Sequence, residues 1–447
     1  MISSRAKAPR HGGALLVVDG AGGRVHRKAT FALYPTRAQE EKLHRLLRTL
    51  AEVYNAGLAE RREAWRLRRV TVTLFDQYGQ IKDLKGVRDD ALAFGIQPVR
   101  TTLKRLDEAY AAFFQRIKAG QRPGFPRFRS HRRHNTAYWD EPISWKVRET
   151  DGRPVLYVQG VGDVPLSKHA GKQLARLQRR GGVAGTLTVT RRCAGTGHVW
   201  RAAVGFKNVE TDALPATGRM VGVDRGVTVT AATSDGALST YPAEARALRH
   251  RADRLGETLA GKKRGSRAWR KTIRQICRTR RRAANLVDNW ARETAADITA
   301  TADVIVLEDL QLKNMTKSAK GTVDEPGRNV AAKSGLNREM QAAALGKLAT
   351  RIRVKAEEAG RRCWLVDPRN TSRTCPTCGH CAKANRPSQA VFRCQCCGHT
   401  ANADVNAAVN IAAAGAQAEA AWRAAGSPQV PGSTPRMRRR KQQPAAA

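Results

Sequence analysis

Cys375-Pro-Thr-Cys378-Gly-His and Cys394-Gln-Cys-Cys397-Gly-His are the two hexapeptides that decide the fold of the C-terminal part of the chain. Each has the C-x2-C spacing of half a tetrathiolate zinc site, and fifteen residues separate Cys378 from Cys394. A glycine follows each pair, where a chain commonly turns back with a positive φ. Four thiolates form a closed structural site, so the sequence predicts a four-cysteine zinc ribbon over residues 371–399.

The segment after this ribbon carries a carboxylate at the start of a predicted helix. Asp404 directly precedes Val405-Asn-Ala-Ala-Val-Asn-Ile-Ala, which has the composition of a helix. A ribbon folded by a metal would fix where this helix begins. We therefore interpret Asp404 as a positioned acid and look for the acids that meet it.

The composition indicates a long polyanionic partner. The 447 residues are enough for two to four domains, and 81 Lys and Arg outnumber 38 Asp and Glu, giving a net charge of +43 and a pI near 11.1. Arg, which binds phosphates bidentately and stacks on bases, supplies 59 of these cations. A typical metabolic enzyme is not this basic, so nucleic acid is the expected partner. A membrane surface is the alternative, but we find neither a long apolar run nor a signal peptide.

The expected compartment is therefore a reducing cytoplasm, in association with nucleic acid. The nine cysteines are then metal ligands and a few buried thiols rather than a disulfide framework. Cys381 and Cys396 are surplus thiols that could compete as zinc ligands, although neither lies in a C-x2-C-Gly pair.

Residues 25–212 predict a small β-barrel that is split by a helical insert. A strand-like pattern ends near residue 35, and Thr36 and Gln39 have the spacing of a capping box ahead of an apolar stripe with helical period. The insert extends over 36–119, and its stripe is interpreted as core packing. Strand patterns return within 120–212.

The stretch Gly120–Trp145 differs in amino-acid composition from the segments on either side of it. Arg122-Pro-Gly-Phe-Pro-Arg-Phe-Arg interleaves aromatic rings with cations, which suits stacking on bases beside a phosphate backbone. A solvated loop is the alternative interpretation.

Two further acids stand at the ends of predicted strands. Met220-Val-Gly-Val-Asp224 and Val304-Ile-Val-Leu-Glu308 are apolar runs that each end in a carboxylate, and the second predicts a buried parallel strand. The order of strands and helices would bring Asp224, Glu308 and Asp404 to one edge of a mixed sheet. Mg2+ is held by few carboxylates and by substrate phosphates, and two such ions can hydrolyse a phosphodiester. Each acid alone could be structural.

A strongly basic stretch lies between the first two acids. Residues 246–282 hold 15 Lys or Arg and two acids, so salt bridges along a helix cannot offset the charge. A solvated face is the alternative, but the one-sided sign favours polyanion contact, with Arg278, Arg280 and Arg281 as candidates. Arg373, just ahead of the first cysteine pair, is a further candidate. Beyond residue 424 the sequence predicts a disordered basic tail.

These motifs together resemble a known family. Val221-Gly-Val-Asp224-Arg-Gly, Ile305-Val-Leu-Glu308-Asp-Leu, the two cysteine pairs and Ala403-Asp404-Val-Asn-Ala-Ala are similar to the split RuvC nuclease of the transposon-encoded TnpB proteins and of the compact type V CRISPR effectors. The resemblance covers roughly residues 26–415, and Tyr34-Pro-Thr-Arg-Ala-Gln resembles the family's opening segment.

The resemblance implies a multidomain α+β and α/β protein in which an oligonucleotide-binding-like wedge barrel precedes an RNase H-like RuvC domain interrupted by the zinc ribbon. The implied domains are a flexible N-terminus (1–24), a first wedge segment (25–35), a helical recognition domain (36–119), a second wedge segment (120–212), the first and second RuvC segments (213–370), a target-strand-loading zinc ribbon (371–399), the third RuvC segment (400–423) and a disordered tail (424–447).

The resemblance also implies a guide-RNA-bound, Mg2+-dependent endonuclease that cleaves target DNA beside a short adjacent motif. Asp224, Glu308 and Asp404 would bind two Mg2+ ions, and Cys375, Cys378, Cys394 and Cys397 would bind one structural Zn2+. One departure is Asn402, since many members carry an acid there.

Two alternatives to this nuclease remain. The first is a nuclease-inactive RNA-guided DNA-binding protein, against which the complete set of acids argues. The second is a zinc-ribbon nucleic-acid scaffold, against which the strands ending in Asp224 and Glu308 argue. The sequence does not decide between a transposon-derived and a CRISPR-derived guide.

Overall fold

The computed structural model describes residues 10–11, 14–20, 23–194, 197–321 and 325–426. The strands are β1 (Arg10–His11), β2 (Ala14–Val18), β3 (Arg24–Leu33), β4 (Thr136–Trp139), β5 (Trp145–Thr150), β6 (Arg153–Val158), β7 (Gly162–Pro165), β8 (Val183–Ala194), β9 (Gly197–Glu210), β10 (Met220–Asp224), β11 (Ala231–Thr233), β12 (Leu238–Ser239), β13 (Val304–Glu308), β14 (Arg362–Val366), β15 (Val391–Arg393) and β16 (Thr400–Asn402). The α-helices are α1 (Arg37–Arg68), α2 (Leu74–Gly79), α3 (Asp89–Leu92), α4 (Ile96–Lys118), α5 (Lys168–Arg179), α6 (Ala243–Ala260), α7 (Arg267–Thr301), α8 (Leu312–Met315), α9 (Val330–Ala343), α10 (Leu345–Glu358) and α11 (Ala403–Ala424). Two short 3₁₀ helices occupy Gln80–Leu84 and Lys383–Asn385.

The chain forms two compact units, as expected for a mixed α/β multidomain protein. The first contains the described residues of 1–23, 211–264 and 275–447, and the second contains 24–210 and 265–274. No helix among the described residues combines the length and the apolar character that a membrane span requires.

A seven-stranded sheet organises the first unit, in the order β1-β2-β14-β13-β10-β11-β12. Its centre is parallel, because β13 pairs in parallel with both β10 and β14, which confirms the parallel strand predicted at Val304–Glu308. The flanking strands β2, β11 and β12 run antiparallel to their neighbours. The carboxyl ends of β10 and β13 therefore lie side by side at one edge of the sheet.

The N-terminal segment differs from the prediction. The sequence predicts that residues 1–24 are flexible, but Ala14–Val18 form β2, which pairs with β14 through Leu15–Leu365 and Leu16–Trp364. The apolar run Ala-Leu-Leu-Val-Val explains this, because its side chains are buried when it pairs with the edge of the parallel strands. Of the predicted tail, residues 427–447 lie outside the described residues.

The two faces of the central strands belong to different cores. Alternate residues such as Ile305 and Leu307 of β13 pack in one cluster with α7 and α10, whereas Val304 and Val306 pack in another with α11. This alternation follows from the two-residue period of a strand. The continuous apolar run in β13 is therefore the sequence of a strand that helices cover on both faces.

Two glycines let α11 approach the sheet closely. A Cβ on Gly222 of β10 would lie 2.1 Å from the carbonyl oxygen of Ala408, and a Cβ on Gly415 of α11 would lie 2.2 Å from Val306 Cγ2. Both distances are impossible for a larger residue without movement of the backbone or of a buried valine. Since Gly222 lies two residues before Asp224 in the strand, the close approach also sets where the start of α11 stands relative to the end of β10.

The second unit combines a four-stranded sheet, β3-β9-β8-β4, with a three-stranded sheet, β5-β6-β7. An isolated bridge between Leu33 and Leu166 connects the two, and residues from both sheets and from α1 and α4 form one core. The predicted helix start is confirmed, because Thr36 accepts from the Gln39 backbone N–H (3.3 Å) while Gln39 Oε1 accepts from the Thr36 N–H (3.0 Å).

Candidate active site and metal centre

The four predicted cysteines form a single cluster. Their sulfur atoms all lie within 4.8 Å of one another, with 3.6 Å between those of Cys375 and Cys397 and 3.5 Å between those of Cys378 and Cys394. Tetrahedral zinc with Zn–S bonds of about 2.3 Å requires sulfurs about 3.8 Å apart, so this cluster fits one zinc ion. Two backbone turns, one after each cysteine pair, bring the four sulfur atoms together.

The two turns that carry the cysteines have the conformation expected from the sequence. Gly379 and Gly398 both have φ of 75°, which only glycine adopts without strain. Although burial opposes ionisation, the backbone N–H groups of Cys378 and Thr377 lower the pKa of Cys375 to about 6. Cys375 therefore favours the thiolate, which is the form that binds a metal.

Asp224 and Glu308 are brought together at the edge of the seven-stranded sheet. They end the parallel strands β10 and β13, in which Val223 lies opposite Leu307. After burial, the charge of Glu308 is the next cause that raises the pKa of Asp224, so the two carboxyl groups repel each other when both are ionised.

Asp404 completes the group from the first turn of α11. The side-chain oxygen of Asn402 accepts hydrogen bonds from the backbone N–H groups of Asp404 (3.0 Å) and Val405 (3.2 Å). Asn402, the departure from the family pattern, is thus the N-cap of the helix that carries the acid. It contributes to the position of Asp404 rather than to the charge of the site.

The electrostatics of this group favour a cation. Burial, and then the charges of Glu308 and Asp404, raise the pKa of Asp224 to about 7. Burial also raises the pKa of Glu308, against the opposing effect of a hydrogen bond from Thr371. Raised pKa values for neighbouring buried acids are typical of sites where a divalent cation supplies the missing positive charge.

Three residues around the acids were not assigned a role from the sequence, and two of them lie beside predicted motifs. Arg225 is buried and donates to the backbone carbonyls of Glu308 and Leu345. The Thr371 hydroxyl donates to Glu308 Oε1 (2.8 Å). Arg225 directly follows Asp224, and Thr371 opens the predicted ribbon, so their place in the sequence was a usable signal.

Arg386 is the third of these residues, and nothing in its sequence context marked it. It belongs to the segment between the two cysteine pairs, and its guanidinium donates to Asp404 Oδ1 (2.8 Å) and to the Gln389 carbonyl (2.9 Å). Among the described residues the three acids are not a group whose oxygens all lie within 4.8 Å of one another. Asp404 is instead paired with the Arg386 guanidinium, so Arg386 belongs to the site as the structure has it.

Two asparagines of α11 tie the ribbon to the acids. Asn406 Nδ2 donates to the Thr374 carbonyl (3.1 Å), and Asn410 Nδ2 donates to the carbonyls of Thr371 and Thr374 (both 2.8 Å). Their spacing of four residues puts them on one face of the helix. The segment that enters the cysteine cluster is thereby fixed to the helix that carries Asp404.

The remaining predicted residues are the arginines assigned to phosphate contacts and the two surplus cysteines. Arg278, Arg280 and Arg281 are exposed on α7, where Arg280 lies 3.4 Å from Asp253, and Arg373 is exposed ahead of the first cysteine pair. Neither Cys381 nor Cys396 belongs to the described metal-ligand groups, and both are exposed.

A second group with metal-ligand spacing occurs in the other unit. Glu40, His44 and His198 have ligand atoms within 4.8 Å of one another. However, Arg191 lies 2.9 Å from His44 Nδ1, which must therefore accept, and the His44 Nε2–H then faces Glu40. A metal at Nε2 would require the opposite tautomer beside a fixed cation, so this group does not fit a metal.

Comparison with known proteins agrees with this geometry. The chain is 33% identical over 319 residues to the putative RNA-guided DNA endonuclease InsQ of Escherichia coli K12, covering 71% of this chain and 74% of that protein. The chain belongs to the TnpB-like family of RNA-guided nucleases. A second relative, a putative RNA-guided DNA endonuclease of Streptomyces pristinaespiralis, is 26% identical over 406 residues, covering 89% of this chain and 91% of that protein.

Three family models match separate regions of this TnpB-like chain. They are a helix-turn-helix domain at residues 25–69, a probable transposase at 206–319 and a Cas12f1-like TNB domain at 346–411. The fold is similar to that of Cas12f1 solved in complex with a single guide RNA and target DNA, with a TM-score of 0.58 at 13% identity over 87% of this chain and 99% of that one. The TnpB-like fold and family therefore agree with the expectation from the motifs.

Proposed function

We propose that this protein is an RNA-guided DNA endonuclease with a single RuvC-type active site formed by Asp224, Glu308 and Asp404. The observation that carries the proposal is the group of three acids from β10, β13 and α11, in which burial and mutual repulsion raise the pKa of Asp224 to about 7. Membership of the TnpB-like family, whose relatives are named RNA-guided DNA endonucleases, supports the same conclusion.

In this proposal the seven-stranded sheet is an RNase H-like RuvC core, and the sheets of Arg24–Glu210 form the oligonucleotide-binding-like wedge around the helical recognition domain. The parallel centre of the sheet, with helices on both faces, supports the first assignment. One core shared by the two smaller sheets supports the second. The ribbon at 371–399 would load the target strand into the site.

The proposed cofactors are two Mg2+ ions and one structural Zn2+. Bound Mg2+ supplies Lewis-acid stabilisation of the phosphate and a water of lowered pKa. Asp224, Glu308 and Asp404 would hold these ions as carboxylates, because a nearby positive charge favours the ionised form of each acid. Thr371 orients one oxygen of Glu308, and Arg225 fixes the backbone that carries it.

Arg386 is assigned a positioning role at Asp404. Its guanidinium restricts the rotamer of Asp404 and brings a positive charge to the edge of the site, where an anionic phosphate has to approach. The zinc ribbon therefore contributes to the active site through Arg386 as well as through the tether to α11.

The partners in this proposal are a guide RNA and a target DNA that carries a short adjacent motif. The 15 cations of residues 246–282 would hold the guide–target duplex by its phosphates, since base pairing supplies the sequence recognition in RNA-guided systems. Arg278, Arg280, Arg281 and Arg373 are the assigned phosphate contacts.

The test begins with the RNA that copurifies with the full-length protein. We expect sequencing to reveal a structured RNA with a variable guide end, and replacement of this end should redirect Mg2+-dependent cleavage to a matching plasmid. Cleavage that does not follow the programmed sequence, or target binding without any cleavage in Mg2+, would contradict the proposal.

A further inference from the structure

The helical region of the second unit contains a large groove that the proposed function does not explain. It lies between the C-terminal ends of α1 and α4 and the segment that follows α4, and its volume is about 1230 Å3. Six aromatic residues define it, and we call it the aromatic groove: Trp65, Tyr110, Phe113, Phe114, Phe125 and Phe128. It exceeds the pockets of about 300–1,000 Å3 that hold drug-sized molecules, so it has room for a ligand larger than one small metabolite.

Four of the six rings of the aromatic groove are exposed although they are large. Trp65 and Phe128 are each 53% exposed, and Phe114 is 54% exposed. Phe113 makes edge-to-face contacts with Phe114 and Phe125, with 5.2 Å between ring centroids in both pairs, so the rings are held in place rather than collapsed on one another. Contiguous exposed apolar surface of this kind usually marks a binding site.

The charge around the aromatic groove selects an anionic ligand. Residues 61–69 contain five Arg and one acid, Glu63, and residues 120–133 contain five Arg and no acid. Arg62 lies 5.3 Å from the centroid of the Phe128 ring, and Arg69 lies 5.7 Å from that of Trp65. Arg61 is already paired with Asp107 (2.9 Å), so Arg62 and Arg69 are the cations set against the exposed rings.

Exposed rings beside arginines match one class of polymer. Single-stranded nucleic acid offers flat base faces for stacking and phosphates for the cations at a regular spacing. A double helix does not fit, because its base faces are already stacked inside. An acidic peptide would satisfy the arginines but would leave the ring faces without a flat partner.

RNA and DNA differ in how long each would occupy the groove. An open aromatic patch favours self-association, so its ligand has to be present for most of the protein's lifetime. A guide RNA is a permanent partner, whereas a displaced DNA strand exists only during target engagement. We propose that the aromatic groove binds unpaired bases of the guide RNA, an inference that rests on the proposed function for the presence of that RNA.

The first experiment measures the affinity of the RNA-free, full-length protein for four probes at one salt concentration. The probes are oligouridylate, abasic RNA of the same length, oligodeoxythymidylate and duplex RNA. We expect Trp65→Ala/Phe128→Ala to weaken oligouridylate binding about tenfold or more, since one base–ring stack contributes a factor of about five or more, and to leave abasic RNA unchanged. Trp65→Phe/Phe128→Tyr should restore the affinity, because it keeps the ring faces.

Phe75→Ala is the matched control. Phe75 is an 80% exposed aromatic residue in the same unit that does not line the groove, so its removal should leave all four affinities unchanged. Melting temperatures and zinc contents of the variants should equal those of the wild type. A second measurement, chemical probing of the copurified RNA, should reveal unpaired nucleotides that are protected in the wild type and reactive in the double variant.

Four results would overturn the inference: unchanged oligouridylate affinity in the double variant, an equal loss for abasic RNA, a loss confined to oligodeoxythymidylate, or a change of oligomeric mass with RNA affinity intact. These results are distinct from failure of the proposed function, which would appear as absence of guided cleavage whatever the oligouridylate affinity.

Discussion

The cysteine cluster and the acid group are built in different ways. The four cysteines lie between residues 375 and 397 and are positioned by two tight turns that bond mainly to themselves. The three acids come from residues 224, 308 and 404 and meet only because two strands are parallel neighbours and a helix packs closely on them. The first site can be recognised from spacing alone, whereas the second exists only once the sheet has formed.

This difference leads to different sensitivities. A site made by local turns should fail when a ligand or its metal is lost, and should tolerate changes elsewhere. A site collected from distant elements should also depend on the residues that hold those elements together. Asn406, Asn410, Thr371 and Arg386 are such residues here, and they connect the two sites.

The largest effect is expected from the acids themselves. Asp224→Ala, Glu308→Ala and Asp404→Ala should each lower target cleavage by about 10³-fold or more while RNA and target binding persist, because in the proposed function the acids share one metal site. Double variants should lose little more than single ones. Cleavage rates and binding are measured in parallel, with Asp367→Asn as the control, since Asp367 follows β14 but is exposed and bonded to Arg369. A Glu308→Ala protein with near wild-type cleavage would remove the assignment.

The next effect tests whether the local site supports the distant one. Cys375→Ser or Cys397→Ser should remove the zinc, about one ion per chain in the wild type, and reduce cleavage about 100-fold, because folding of the ribbon and metal binding are one equilibrium. Metal analysis and cleavage rates give the answer. Cys381→Ser and Cys396→Ser are the matched controls, and loss of zinc in either would mean that the ligand set is wrong.

The cations of α7 belong to neither of these two sites, and they lie along one helix instead of at a turn or at the end of a strand. Neutralising Arg278, Arg280 and Arg281 together should weaken target binding about tenfold for every matched target and reduce the slope of log affinity against log salt by up to about three units. The measurement compares two unrelated guide–target pairs. A loss limited to one target, or an unchanged slope, would favour a solvated face.

The smallest effect concerns one hydroxyl. The hydrogen bond from Thr371 lowers the pKa of Glu308 against the raising effect of burial, so Thr371→Val should raise that pKa. Because Glu308 acts as a carboxylate in the proposed mechanism, the acid limb of the pH–rate profile should move to higher pH, and the rate should fall in the pH range below the limb. Thr374→Val is the control and should keep the wild-type profile, because the Thr374 hydroxyl donates to the Asn370 carbonyl and not to an acid among the described residues.

The sequence predicted what depends on short-range spacing or on the residue at the end of a strand. The cysteine turns, the Thr36 capping box and the strands that end in Asp224 and Glu308 all follow from local patterns. Arg386 did not, because its contact with Asp404 depends on how the ribbon folds back.

The aromatic groove was only half visible in the sequence. The rings and cations of 120–133 have a pattern that suits base stacking, but no pattern in the sequence marked Trp65 at the end of α1 as part of the same surface. Helical period alone cannot tell a buried ring from one that lines an open groove. The strand β2 was missed for a related reason, because its partner β14 lies near the other end of the chain.

That pairing has a consequence for synthesis on the ribosome. Residues 24–210 have their own core and can fold as soon as they emerge, but Ala14–Val18 must wait until Arg362–Val366 have been made. Until then Ala-Leu-Leu-Val-Val remains an unpaired apolar segment in the nascent chain, which is a hazard for aggregation. Leu16 is buried in the same core as Trp364 of β14, so Leu16→Lys would place a charge there and prevent this late pairing. It should lower the soluble yield of the full chain even when the isolated second unit still expresses well.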